Sequence, residues 1–138
     1  MVESKTLQFS SQGNCDIIDI TSQVGRAVHD SSVDSGTVTV FIIGSTAGVT
    51  TVEYESGLVG DLKKLFERIA PKNIPYGHDE RWGDGNGHSH VRASLLGSSL
   101  VVPFEGKQLM LGTWQQIIVV DFDNRPRNRT VQLQIMGE

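Results

Sequence analysis

Three of the chain's four histidines fall between positions 78 and 90, in the run His78-Asp79-Glu80-Arg81-Trp82-Gly83-Asp84-Gly85-Asn86-Gly87-His88-Ser89-His90. Read as an extended segment, residues 86–90 alternate faces, so Asn86, His88 and His90 point one way and Gly87 and Ser89 the other. Two imidazoles at i and i+2 on a strand can share one metal ion. His78 completes the expected ligand set with His88 and His90, and Asp84 is an alternative third donor, for a divalent ion such as zinc, manganese or magnesium. Imidazoles also work without metal: protonated they bind phosphate, and near neutral pH they donate or accept protons. The competing reading is a Gly-rich polar loop that is only a solvated turn.

Asp84, Asn86, His88 and His90 are therefore the catalytic candidates, and Glu53 joins them. Asn86 either presents its amide oxygen to a substrate or metal, or holds a Gly-flanked turn. Glu53 ends the alternation Val49-Thr50-Thr51-Val52, where a carboxylate needs a partner, so it reads as a base, a ligand or half of an ion pair. Asp61 reads mainly as a dipole partner for a helix N-terminus. Trp82 and Trp114 can stack on a heteroaromatic ring, although tryptophan more often packs in a core or an interface. Arg92, Arg125, Arg127 and Arg129 can clamp phosphate in bidentate fashion, beside donors from Ser98 and Ser99. Of these, Arg127 and Ser98 stand as substrate-binding candidates. His29, next to Asp30, reads as a surface residue at a helix C-terminus.

The elements that must position these residues are mostly strands. Thr6–Ser10 and Asp16–Ile20 flank a Gln12-Gly13-Asn14 turn signal and read as an opening hairpin. From Ser22 the period becomes helical, with Val24, Ala27 and Val28 on one stripe and Thr21 as the expected N-cap. Thr37–Ile43 has the β-branched content of a central strand, and Val49–Glu53 alternates as another. A second helix carries the apolar stripe Leu58, Leu62, Leu65, Phe66 and Ile69 and stops at Pro71. Beyond the histidines the pattern reads as β throughout: Ala93–Leu96, Leu100–Pro103, Gln108–Leu111, Gln115–Asp123 and Thr130–Ile135. The expected fold class is α+β, a largely antiparallel sheet structure with two helices in a single domain over residues 1–138.

Composition narrows the function classes. The chain has 138 residues, 38% apolar content and a formal charge of −4. Its Lys and Arg residues are dispersed, which argues against nucleic acid as a partner. The lone Cys15 forms no intrachain disulfide, and the N-terminal residues lack the apolar run of a signal peptide, so the expected location is the cytoplasm. No apolar stretch has the length to cross a bilayer, and no membrane partner is expected.

Several motifs in order carry a family resemblance: Ser45-Thr46-Ala47-Gly48-Val49-Thr50, Gly85-Asn86-Gly87-His88-Ser89-His90, Ser94-Leu95-Leu96-Gly97, Val102-Pro103-Phe104, Leu111-Gly112-Thr113-Trp114-Gln115, and Asp121-Phe122-Asp123 followed by Arg125, Arg127 and Arg129. Over nearly the whole chain this succession resembles the YjbQ-like family, also called UPF0047 or secondary thiamine-phosphate synthase. Many members resemble His-Thr-Thr-Ala or His-Thr-Ser-Ala where this chain has Gly44-Ser45-Thr46-Ala47, so a role for that histidine does not carry over. The resemblance implies orthogonally packed sheets, a homotrimer, and a pocket near the subunit interface lined by the His-rich segment. The implied reaction joins hydroxymethylpyrimidine diphosphate and thiazole phosphate to give thiamine phosphate and pyrophosphate, so the expected partner is a small phosphorylated molecule. In that setting His88 and His90, with His78 or Asp84, would hold a divalent ion as Lewis acid on the diphosphate. Gln115 would read a pyrimidine edge, unless it makes only a cross-strand hydrogen bond. Two other classes stand beside the transferase: a metal-dependent hydrolase of a small phosphorylated or carbonyl substrate, with Glu53 near the metal, and a non-catalytic trimeric protein that binds a metal or ligand.

Overall fold

The computed structural model describes residues 1–138, folded as two antiparallel sheets and four helices. In chain order these are β1 (Val2–Ser11), β2 (Asp16–Asp19), α1 (Thr21–Asp30), β3 (Gly36–Ile43), β4 (Ala47–Val52), α2 (Ser56–Ile69), α3 (Gly77–Trp82), α4 (Gly87–Leu96), β5 (Ser99–Glu105), β6 (Gln108–Leu109), β7 (Gln116–Asp121) and β8 (Arg127–Gly137). The larger sheet has the order β1-β8-β3-β5-β6 and the smaller β2-β7-β4. The α+β class with antiparallel sheets matches the sequence reading, whereas the helix count does not. Residues 86–96 were expected to be extended and instead lead into and form α4.

Strand β7 explains how the layers stack. Its residues are buried on both faces, so its alternation feeds two cores rather than one. Ile117 and Val119 point into the core between the sheets, with Val38, Val40 and Ile42 of β3 and Val131, Leu133 and Ile135 of β8. Ile118 and Val120 point the other way, against Phe66 of α2 and Ala93 of α4, and Phe122 follows them, its ring edge-on to Phe66 with centroids 4.7 Å apart. Helices α2 and α4 thus cover the outer face of the small sheet. Truncating Phe122 to alanine would cost about 3–5 kcal/mol, the usual range for a fully buried aromatic.

Three further readings change. β1 and β2 form no hairpin: β1 pairs with β8 and β2 pairs with β7, because Gly13, Asn14 and Cys15, all with positive φ, turn the chain from one sheet to the other. Thr21 opens α1 without capping it; its hydroxyl donates to Asp19 Oδ1 and accepts from the Ile117 amide, tying the helix start to β7. The α2 stripe is rotated, with Val59, Leu62 and Phe66 meeting the core while Leu65 and Ile69 are exposed. Glu55 caps α2 by accepting from the Gly57 and Leu58 amides, so Asp61, in the second turn, is not the residue that meets the helix N-terminus.

Candidate functional site

The site is organised by the end of β7 and the start of β8. Asp121 and Asp123 are two residues apart, as are Arg127 and Arg129, and each carboxylate is matched to one guanidinium. Arg129 grips Asp121 with two hydrogen bonds of 2.7 Å, from Nε to Oδ2 and from Nη2 to Oδ1. Arg127 donates Nε to Asp123 Oδ2 at 2.6 Å. Thr46 joins the pairs, accepting from Arg129 Nη2 at 2.7 Å and donating to Asp123 Oδ2 at 3.2 Å. Both aspartates are fully buried, so they are stable as anions only because these donors surround them. For Asp123, burial pushes the carboxyl pKa up, but the Asn124 amide, Arg127 and Asn86 together bring it below the ordinary aspartate value.

Gly44 lies against this network. A Cβ built there would sit 2.5 Å from Arg129 Nη1, and its φ is +140°. The guanidinium occupies the space that a side chain at 44 would need, and Arg129 is pinned in place by Asp121. A side chain at position 44 would therefore require Arg129 to move and the backbone to adopt a strained conformation.

From Asp123 the network continues outward. Asn86 donates Nδ2 to Asp123 Oδ1 at 3.3 Å, and its Oδ1 lies 3.1 Å from His78 Nε2. His78 Nε2 is also 3.4 Å from Asp84 Oδ2, and the His78 and His90 ring centroids are 4.4 Å apart. Asn86 is the N-cap residue of α4, yet its side chain makes no capping bond because it is committed to this relay. Asp79 takes over, accepting from the Gly87 amide at 2.8 Å. Gly87 allows the tight approach of Tyr76, whose Cβ would lie 2.5 Å from a Cβ at 87. Burial first, and the His78 charge second, hold the His90 pKa below the usual histidine range.

His88 belongs to a different compartment. On a helix, residues two apart are separated by about 200°, so His88 and His90 face opposite sides of α4. His88 is buried with Ser89, Arg92 and Ala93, and its Nδ1 has no hydrogen-bond partner. Burial, then Arg92 and then Lys72 lower its pKa. Ser89 donates to the Phe122 carbonyl, and Arg92 donates Nε to the Ala70 carbonyl at 3.0 Å and Nη2 to Glu67 at 2.7 Å. The expected ligand set of His78, His88 and His90 is therefore not brought together, and no group of three His, Cys, Asp or Glu side chains has metal-binding geometry. The single convergent face of Asn86, His88 and His90 does not exist, because the segment is helical.

The remaining candidates scatter. Arg127 lines a polar cleft of about 430 Å³ with Asp84, Asn86, Asn124 and Arg125. Asn124 fixes the cleft wall, donating Nδ2 to the Asp84 carbonyl at 2.9 Å. Ser98 lines a separate cleft of about 320 Å³ with Gly44, Ser45 and Ser94. Gln115 is tied up locally: Nε2 donates to Thr51 Oγ1, and Oε1 accepts from the Gly112 amide, both at 3.0 Å, so the cross-strand reading describes it. Glu53 is exposed, and no hydrogen bond or ion pair engages its side chain. Arg92 is a buried ion-pair residue, and Trp82 and Trp114 are exposed. His29 lies exposed beside Asp30 at the end of α1. Sequence reasoning missed Asp121, Asp123 and Thr46 as site residues. The available signal was the pair of aspartates at i, i+2 after an apolar strand, shortly before two arginines at the same spacing.

A two-sheet α+β protein with a buried Asp–Arg lattice under a polar cleft is the class that fold and site define. The model of the family described as UPF0047 protein YjbQ-like matches residues 5–138, and the chain belongs to that family. A UPF0047 protein of Archaeoglobus fulgidus is 41% identical over 125 residues, covering 91% of this chain and 94% of its own length. One from Methanothermobacter thermautotrophicus is 35% identical over 137 residues, covering 99% and 94% respectively. The crystal structure of a YbjQ-like protein of unknown function from Sulfolobus solfataricus superposes with a TM-score of 0.94 at 30% identity, covering 100% of this chain and 99% of that one. A YjbQ/UPF0047 family protein from Clostridium acetobutylicum gives a TM-score of 0.83 at 36% identity, covering 94% and 99%. No helix is long and apolar enough to cross a membrane.

Proposed function

We propose that the chain is a transferase of the thiamine-phosphate synthase type that binds the diphosphate of hydroxymethylpyrimidine diphosphate in the cleft between Asp84 and Arg127. The observation that carries this reading is Arg127 itself. Its Nε is fixed by buried Asp123, while both Nη groups are free of protein acceptors at the wall of a polar cleft that also holds Arg125. A preorganised guanidinium with open donors suits a phosphate better than a mobile surface arginine does.

In the proposed reaction the bond between the pyrimidine methylene carbon and the diphosphate oxygen breaks, and its electron pair leaves with pyrophosphate. The thiazole nitrogen supplies the pair for the new C–N bond, giving thiamine phosphate. Arg127 and Arg125 offset the charge that develops on the departing oxygens. His78, whose Nε2 lies beside the cleft-lining Asn86 and Asp84, is the proton donor to the leaving group, and His90, its pKa lowered by burial, limits competing positive charge beside it. No step here runs through a resident metal, because His88 faces away from His78 and His90 and no three donors have metal-binding geometry.

The hydrolase reading places Glu53 near a metal held by histidines, and in this chain His88 faces away from His78 and His90 and the exposed Glu53 side chain makes no hydrogen bond or ion pair. A homotrimer is part of the proposal. The outer face of the large sheet supports it: across Val2, Ser4, Thr6 and Gln8 of β1, the even-numbered residues 128–136 of β8, Thr37, Thr39, Phe41 and Ile43 of β3, and Ser99, Val101 and Pro103 of β5 there is no charged side chain, and Glu105 follows only at the end of β5. Four strands of this length present roughly 600 Å² from strand spacing and rise alone, close to the ~800 Å² per partner of a stable interface.

The test is to incubate the protein with both substrates and magnesium and follow thiamine phosphate by mass spectrometry and pyrophosphate by coupled assay. Equimolar formation of the two, lost in Arg127→Ala, is expected. Pyrophosphate-free mixtures, or phosphate release without thiamine phosphate, would contradict the transferase reading.

A further inference from the structure

We infer that Asp123, acting through Asn86, fixes His78 as its Nε2–H tautomer and so makes Nδ1 the basic nitrogen of the ring.

The argument is one of donors and acceptors. Asp123 accepts four hydrogen bonds: from the Asn124 amide and Asn86 Nδ2 on Oδ1, and from Arg127 Nε and the Thr46 hydroxyl on Oδ2. All its neighbours are donors, so the group is an ionised carboxylate with only acceptors to offer. Asn86 must then turn its NH2 toward Asp123, which leaves its carbonyl oxygen toward His78 Nε2 at 3.1 Å. A carbonyl only accepts, so Nε2 must carry a hydrogen. The second neighbour of Nε2, Asp84 Oδ2 at 3.4 Å, is also an acceptor and demands the same proton. Nδ1 of His78 has no protein partner, and unlike Nδ1 of His88 it is not a sealed, unpartnered atom. In the neutral ring it therefore holds an open lone pair.

Asp123 and Asn86 are positioning residues in this scheme. The same buried carboxylate holds Arg127 by one oxygen and orients His78 by the other, so the anion anchor and the proton-handling ring share one support. The use of Nδ1 on a bound diphosphate rests on the transferase reading, whereas the tautomer does not.

The experiment is long-range 1H–15N correlation NMR on the full chain labelled at histidine, at a pH where the His78 ring is neutral and without ligand. The Nε2–H tautomer with a protected proton is expected in the wild type. In Asp123→Asn combined with Asp84→Ala, which removes the other acceptor at Nε2, the new amide keeps its oxygen toward Arg127 and Thr46, so its NH2 faces Asn86, Asn86 inverts, and His78 shifts to Nδ1–H. Asn86→Ala leaves the buried carboxylate in place and decides the matter if the double variant does not fold: the Nε2 proton should exchange with water at least ~10-fold faster. A wild-type ring in the Nδ1–H form, an unchanged tautomer in the folded Asp123→Asn/Asp84→Ala variant, or unchanged exchange in Asn86→Ala overturns the inference. Because no ligand is present, failure here is separate from failure to bind or turn over a diphosphate.

Discussion

His90 and His88 stand two residues apart on one helix and live in different worlds. On the His90 side the His78 and His90 rings lie together, next to Asp84 and Asn86, which line an open cleft with Arg127. On the His88 side the same helix covers a compartment in which Arg92, Ser89 and the Ala70 and Phe122 carbonyls pair, with Arg92 also reaching exposed Glu67. The first side has unused donors and acceptors and can receive a ligand. The second, apart from His88 Nδ1, has its polar atoms paired and serves to fasten α4 to α2 and the small sheet. Histidine content alone did not distinguish them; helical phase did.

The sharpest break should come from the support beneath both sides. Asp123→Ala strands Arg127 and the Thr46–Arg129 lattice over a fully buried gap, and urea denaturation should show a loss of about 3–5 kcal/mol. A loss under 1 kcal/mol would mean that the lattice is not what holds the cleft.

His88→Ala should come next, costing about 2–4 kcal/mol by opening a cavity in the compartment covered by α4, while His90→Ala changes stability by less than about 1 kcal/mol. Equal losses would erase the distinction between the two sides. The comparison also has a pH signature. Because the His88 pKa is lowered in the folded state, unfolding takes up a proton at pH values between the folded pKa and the unfolded value of about 6.5. His88 thus contributes stability that is present above about pH 6.5 and is lost as pH falls toward its folded pKa, and His88→Gln should flatten that part of the stability curve. The smallest effect should be that of Glu53→Ala, within about 0.5 kcal/mol in stability and without effect on anion binding, since the side chain is exposed and unpaired.

Much of the framework was legible in the sequence for physical reasons. β3, β5 and β8 alternate or are β-branched, and α2 has a helical period, so their types follow from side-chain placement. The segment 86–96 was not legible, because histidine, serine and glycine give weak preferences and its helical phase appears only in what it buries: His88, Ser89, Arg92 and Ala93. Reading it as a strand put His88 and His90 on one face and built a metal site that the helix takes apart. His78, Asp84, Asn86, His90 and Arg127 were recognised as candidates from their types, and the structure does gather them. What joins them, Asp123, was hidden because a carboxylate's role as a shared acceptor depends on contacts between residues distant in the chain, such as Thr46, Asn86 and Arg127.

The most direct test of this division is isothermal calorimetry of inorganic pyrophosphate with the wild type, Arg127→Ala and His88→Gln, each confirmed folded at neutral pH. The cleft account predicts saturable binding near one site per chain, weakened at least ~10-fold by Arg127→Ala, which is about 1.4 kcal/mol, and retained in His88→Gln. Binding that is absent from the wild type, or that survives Arg127→Ala and disappears in His88→Gln, would contradict it.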